Sequence, residues 1–94
     1  MTTYTVPSTV KRLDSHSFAC NQKLTSITIP AGCTEIKHRT FYATKNLATV
    51  TYQGTTQPNC ETTLFKEGIA NTVTVIVPSG YNGTVFCGAT VTKQ

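Results

Sequence analysis

The chain repeats itself every 23 residues. Pro7 and Pro30, Leu13 and Ile36, Phe18 and Phe41, Leu24 and Leu47, and Ile27 and Val50 each stand 23 positions apart. Val6-Pro7-Ser8-Thr9-Val10 can thus be written above Ile29-Pro30-Ala31-Gly32-Cys33, and each large apolar residue that follows meets an apolar mate. A fixed period of this length belongs to stacked units, none of which can bury its apolar face alone. The pattern runs on at both ends. Tyr4 and Val6 fall on Ile27 and Ile29, so the chain starts within the strand of an incomplete unit. Downstream, Phe65 follows Phe41 by 24, and Val75-Ile76-Val77-Pro78 restates Ile27-Thr28-Ile29-Pro30 after 48. The third unit is therefore longer by about two residues, and its leucine position is blurred around Ile69-Ala70-Asn71-Thr72.

Spacing within the unit predicts its shape. Leu24-x-x-Ile27-x-Ile29 is a strand whose alternate residues point inward, and Thr74-Val75-Ile76-Val77 shows the same period of two. The proline that follows removes a backbone donor and ends the ladder. Asp14 or Ser15 is suited to cap one helical turn running to Phe18. A period of 23 leaves room only for a strand, a turn and a short helical or irregular return. The expected fold is a repeat solenoid of about three coils plus a C-terminal cap. Its parallel strands lie about 4.8 Å apart, and Phe18, Phe41 and Phe65 pile up in the return layer. The single domain, 1–94, divides into a partial repeat (1–6), repeats at 7–29 and 30–52, a degenerate repeat (53–77) and a cap (78–94). Tyr81 and Phe86 are placed to cover the last coil.

Composition agrees and narrows the function. Charged residues make up 13% of the 94, about half the usual share, and threonine takes their place. A Thr-rich chain with Val and Ile favours strands. The net charge is +4, from eight Lys/Arg against four Asp/Glu. The densest basic patch, Lys37-His38-Arg39 with Lys11-Arg12 in the preceding unit, is not the stripe that nucleic-acid binding requires. No run of 18 apolar residues is present, so membrane insertion is not expected. The stretch from Met1 to Pro7 lacks the basic and apolar regions of a signal peptide. The chain is therefore expected to be intracellular or a piece of a longer one.

The unit I-P-x-x-x-x-x-I-x-x-x-x-F-x-x-x-x-x-L-x-x-I-x-I resembles the BspA-like leucine-rich repeats. The tail is similar to the C-terminal capping unit of those proteins: Tyr52-Gln53-Gly54-Thr55-Thr56 with Pro58 and Cys60, then Val77-Pro78-Ser79-Gly80-Tyr81 and Phe86-Cys87-Gly88. The resemblance implies a leucine-rich-repeat fold, a cell-surface or secreted protein, and binding to partner proteins. Two departures stand out. Family repeats place a cysteine three residues after the phenylalanine, where this chain has Asn21 and Thr44, with Cys20 one place early. Three coils is also near the minimum for an independently stable stack.

Nothing in the sequence points to catalysis. It has no G-x-S-x-G, no Gly-rich phosphate loop and no H-E-x-x-H, and Asp14, Glu35, Glu61 and Glu67 are scattered. No enzyme activity and no cofactor are expected. His16, Cys20 and Asp14 resemble a metal corner, but an exposed histidine in register with Arg39 is the simpler reading; His38 matches Ser15. No metal site is expected. Cys33 takes the inward place of Val10. Cys60 stands five before Phe65, as Leu13 and Ile36 stand before their phenylalanines. Both read first as small buried hydrophobes, with a Cys60–Cys87 disulfide pinning the cap as the alternative. Asn82-Gly83-Thr84 is a glycosylation sequon, meaningful only on secretion, and more simply a tight turn in the cap.

The strand pattern defines a candidate binding face. If Tyr4, Val6, Ile27, Ile29, Val50, Tyr52, Val75 and Val77 point in, then Thr3, Thr5, Ser26, Thr28, Thr49, Thr51, Thr74 and Ile76 point out. These are two columns of mostly hydroxyls. They either serve only as water-tolerant β-branched residues or form a flat, uncharged surface for a protein partner. An alternative function is self-assembly through the uncapped N-terminal end, giving a homodimer or homo-oligomer that buries Tyr4, Val6 and Leu13.

Overall fold

A computed structural model describes residues 2–15, 18, 23–37, 40–60, 65 and 73–94. The strands are β1 (Thr2–Thr5), β2 (Arg12–Leu13), β3 (Leu24–Ile29), β4 (Glu35–Ile36), β5 (Thr49–Tyr52), β6 (Thr74–Val77), β7 (Val85–Phe86) and β8 (Ala89–Lys93). They form a six-stranded sheet in the order β1-β3-β5-β6-β8-β7 and a two-stranded sheet of β2 and β4. Every pairing is parallel except the antiparallel β7–β8.

The register reproduces the sequence period. Tyr4 pairs with Ile27, Ile27 with Val50 and Leu13 with Ile36, each 23 positions on. Val50 then pairs with Val75, 25 positions on, which is where the two extra residues enter. Alternation along these strands buries Ile27, Ile29, Val50, Tyr52, Val75 and Val77, and Leu24 is buried at the start of β3, where the pairing with β1 shifts register. The two ladders share one core cluster, to which Leu13 and Ile36 belong. Backbone hydrogen bonds stitch the second ladder: Thr34 donates to Lys11, Lys37 to Leu13, Ile36 to Asn59, and Asn59 to Thr34.

The phenylalanine pile is present and longer than the sequence predicts. Phe41 is fully buried between Phe18 (ring centroids 5.7 Å) and Phe65 (5.5 Å). The row continues to Phe86 at 6.0 Å on one side and Tyr4 at 5.4 Å on the other. Tyr4 therefore faces inward as expected, yet it is 42% exposed because it lies at the end of the row on an edge strand.

Several expectations are corrected. No helix occurs among the described residues, and Ser15 and Phe18 lie in turns. The return at 40–47 is tightened instead by three-residue steps, Thr44 N–H donating to Phe41 O and Leu47 N–H to Thr44 O. Threonine suits this job. The Thr44 hydroxyl donates to Phe41 O at 2.6 Å, and that of Thr40 lies 2.6 Å from Lys37 O and 3.2 Å from Asp14 O in the preceding unit. Both side chains are buried and satisfied, so Thr44 fills the place of the family's cysteine without an orphaned polar group.

Cys60 is not a thiol. It forms a disulfide with Cys87. Its inward position is as expected, since Asn59 bridges Glu35 just as Cys60 follows Ile36 in register, but its role is covalent. Cys33 is buried and free. The cap also does more than cover: β8 adds a fifth parallel strand beside β6, with Val75 opposite Val91. Its tight turn is Cys87-Gly88 (φ 50° and 86°), which joins paired Phe86 and Ala89 as a two-residue hairpin. Gly83 and Thr84 form a bend before β7 instead, and Asn82 leads into it. Tyr81 and Phe86 are buried against Tyr52, the former edge-on at 6.2 Å.

Candidate binding face

Parallel pairing lines up the outward residues of the large sheet. One column runs Thr3, Ser26, Thr49, Thr74 and the other Thr5, Thr28, Thr51, Ile76. Thr3, Thr5 and Thr74 are exposed, and Ser26, Thr28, Thr49, Thr51 and Ile76 are half-buried. The face extends further than the sequence indicates. Thr92 stands opposite Ile76, and Thr90, one residue before Val91, prolongs the other column; both are exposed. Sequence reading missed them because the 16 positions from Val75 to Val91 break the period.

The face is electrically quiet. No ionisable residue occupies either column. Among the described residues, ion pairs lie along the β2–β4 ladder instead, Lys37 to Glu35 at 2.8 Å and Arg12 to Asp14 at 3.1 Å. The hydrogen bond from Lys37 holds the Glu35 carboxyl below its ordinary value. What the columns present is methyl and hydroxyl groups on a fixed lattice, about 4.8 Å apart across strands.

The candidate self-association residues separate. Tyr4 is exposed, but Val6 and Leu13 are only 4% and 5% exposed, already covered within the chain. Tyr4 alone of the three offers surface.

Elsewhere the chemistry is closed. A shallow groove of about 400 Å³ beside Tyr52 is lined by Thr34, Thr55, Thr56, Gln57 and Pro58. Two of its polar groups are turned to the protein: Tyr52 Oη donates to Thr56 O at 3.0 Å, and Gln57 Oε1 accepts from Cys87 N–H at 3.0 Å. Burial pushes the Tyr52 phenol and the Cys33 thiol above their ordinary values, so the thiol is no activated nucleophile. Among the described residues, no three of His, Cys, Asp and Glu come together as metal ligands. His16, Cys20, His38, Glu61 and Glu67 lie outside them. No helix among the described residues is long and apolar enough to cross a membrane.

No curated protein and no solved structure matches the chain. A family model does, over residues 1–80, described as "BspA type Leucine rich repeat region (6 copies)". That span takes in the strands β1 to β6 and all three returns, so the parallel, 23-residue architecture and the sequence model point the same way. The chain belongs to the BspA-type leucine-rich-repeat family.

Proposed function

We propose that this chain is a leucine-rich-repeat solenoid that binds a protein partner through its sheet face, without catalysis, outside the reducing cytoplasm. The observation that carries it is the pair of in-register columns, Thr3, Ser26, Thr49, Thr74 and Thr5, Thr28, Thr51, uninterrupted by charge. Such a face presents few strongly hydrated groups to desolvate, and charged residues are likewise depleted at the cores of protein interfaces. The register supports unit boundaries at 7–29, 30–52 and 53–77, with 78–94 as cap. The Cys60–Cys87 disulfide supports a secreted or cell-surface location, because such bonds persist in oxidising compartments.

The test is site-specific photo-cross-linking in the native setting. A photoreactive side chain at position 28 or 51 is expected to capture the same polypeptide, while one at position 42, in the return, captures none. Thr28→Lys and Thr51→Lys should abolish the adduct. Capture from position 42 alone would sink the reading.

A second reading, self-assembly through the N-terminal edge, is favoured by one observation: Tyr4 is 42% exposed on edge strand β1.

A further inference from the structure

We propose that Asn82 is an N-glycosylation site, and that its glycan shields the C-terminal edge of the large sheet. Three observations converge on Asn82-Gly83-Thr84. The sequon residues are all exposed. The hydrogen bonds of this stretch run through its backbone, Asn82 N–H donating to Thr55 O at 2.7 Å and Thr84 O accepting from Val91 N–H at 3.0 Å. The bend is thus held in place while nothing lies within 4 Å of a side-chain carbon built at Gly83. The surface next to Asn82 is therefore open at Gly83, and the Asn82 residue itself is exposed.

The turn reading of Asn82-Gly83 accounts for the glycine, since Gly83 takes a positive φ of 112° in the bend before β7. It does not account for Asn82 or Thr84, because the hairpin turn of the cap is Cys87-Gly88 and both residues join the fold through backbone groups. The Cys60–Cys87 disulfide in the same cap supports an oxidising compartment, where a sequon becomes chemically meaningful. The proposal rests on that export reading.

The transfer balances without an oxidant or reductant. A lipid-pyrophosphate-linked oligosaccharide is the co-reactant. Its anomeric carbon forms a bond to Asn82 Nδ2 as the bond to the pyrophosphate oxygen breaks. The lipid pyrophosphate leaves, and the amide gives up one proton.

The position gives the glycan a physical task. Three residues on, Val85 is 47% exposed on β7, the last strand in the sheet order. An exposed apolar edge strand invites pairing with another chain, and proteins blunt such edges by covering them. A hydrated glycan at Asn82 covers this one.

The experiment secretes the full chain from a eukaryotic host behind a heterologous signal sequence, so that export is imposed and natural location is not at issue. Loss of two hydrogens by intact mass verifies the Cys60–Cys87 bond in each variant. Wild type and Thr84→Ser are expected to carry an endoglycosidase-sensitive glycan, with release by amidase converting Asn82 to Asp. Asn82→Gln and Thr84→Ala should lose it entirely. Disulfide-bonded, exported chain with unmodified Asn82 overturns the site. Glycan removal is expected to raise association by light scattering, and Val85→Lys to reverse that rise. Equal scattering before and after removal overturns the shielding.

Discussion

Phe41 is the residue on which most of the interior converges. Its ring is fully buried and stacked on both faces, so truncation leaves a cavity that neither neighbour can close. Phe41→Ala should cost about 3–5 kcal/mol, read as a shift in the denaturation midpoint. A midpoint within error of the parent would contradict the ring stack. Gly54 is constrained from the other direction. A methyl added there would lie 2.5 Å from Tyr52 Oη, so Tyr52 must leave its bond to Thr56 O. Gly54→Ala should destabilise by about 1–3 kcal/mol through overpacking, and Tyr52→Phe in the same chain should return little of the loss, because ring carbons Cζ and Cε2 stay within 2.6 and 2.8 Å of the added methyl. The buried acids set the pH response. Cys33, Tyr52 and Tyr81 are all raised by burial above ordinary values of 9.0, 10.0 and 10.0. Their neutral forms are favoured in the folded chain, which then holds more protons than the unfolded one at alkaline pH. Their contribution is complete below pH 9, and stability falls as the unfolded groups ionise above it. Urea midpoints should therefore decline steadily from pH 9 to 11 while the Cys33 thiol resists alkylation. A flat profile would show that these groups are not buried.

Among the elements, the cap hairpin is the one that sequence could least foresee. The strands β1, β3, β5 and β6 announce themselves, because inward Ile, Val and Tyr recur at fixed spacing and any shift of register would turn them outward. By contrast β2 and β4 are two residues long, too short for alternation to register, although Leu13 and Ile36 were legible as inward residues. β8 has no counterpart in the repeat, so Thr90 and Thr92 of the face stayed hidden. The Cys60–Cys87 pairing was legible only as the second of two readings, for a related reason. Position alone makes Cys60 equivalent to Ile36, and only the fold-back of β7 brings Cys87 beside it. That bond closes a separation of 27 residues and should stabilise the chain by about 3–4 kcal/mol in the loop-entropy account. Reduction is therefore expected to loosen the cap before the rest. Amides of Val85–Lys93 should lose exchange protection while those of Ile27 and Val50 keep theirs. Uniform loss across both sets would mean that the cap and the repeats unfold as one unit.

At the scale of the whole molecule, the two edges of the large sheet differ, and the difference decides how copies can meet. The C-terminal edge is the two-residue β7 of a tight hairpin, whose exposed Val85 the glycan proposed at Asn82 would cover. The N-terminal edge is β1, four residues long and, among the described residues, paired only with β3. Val6 N–H donates to Thr28 O, and donor directions alternate along a strand, so the amides of Thr3 and Thr5 point away from β3. Tyr4 lies between them with its exposed ring over Phe18. Two copies meeting edge to edge would pair β1 with β1 antiparallel around a two-fold axis and bury both Tyr4 rings. Because each copy offers one such edge, the contact closes at the dimer and does not propagate. Light scattering on a concentration series should show the mass rising towards twice that of the chain. Thr5→Pro removes an outward donor without touching the β3 ladder, and Tyr4 already has the extended backbone that a following proline requires. This variant should stay monomeric with its melting temperature nearly unchanged. Tyr4→Ser should weaken the dimer as well, but through lost ring burial, and with a lower melting temperature because Phe18 is uncovered. A parent chain that remains monomeric throughout the series would rule out the edge as an interface, leaving the threonine face as the surface on which partners dock.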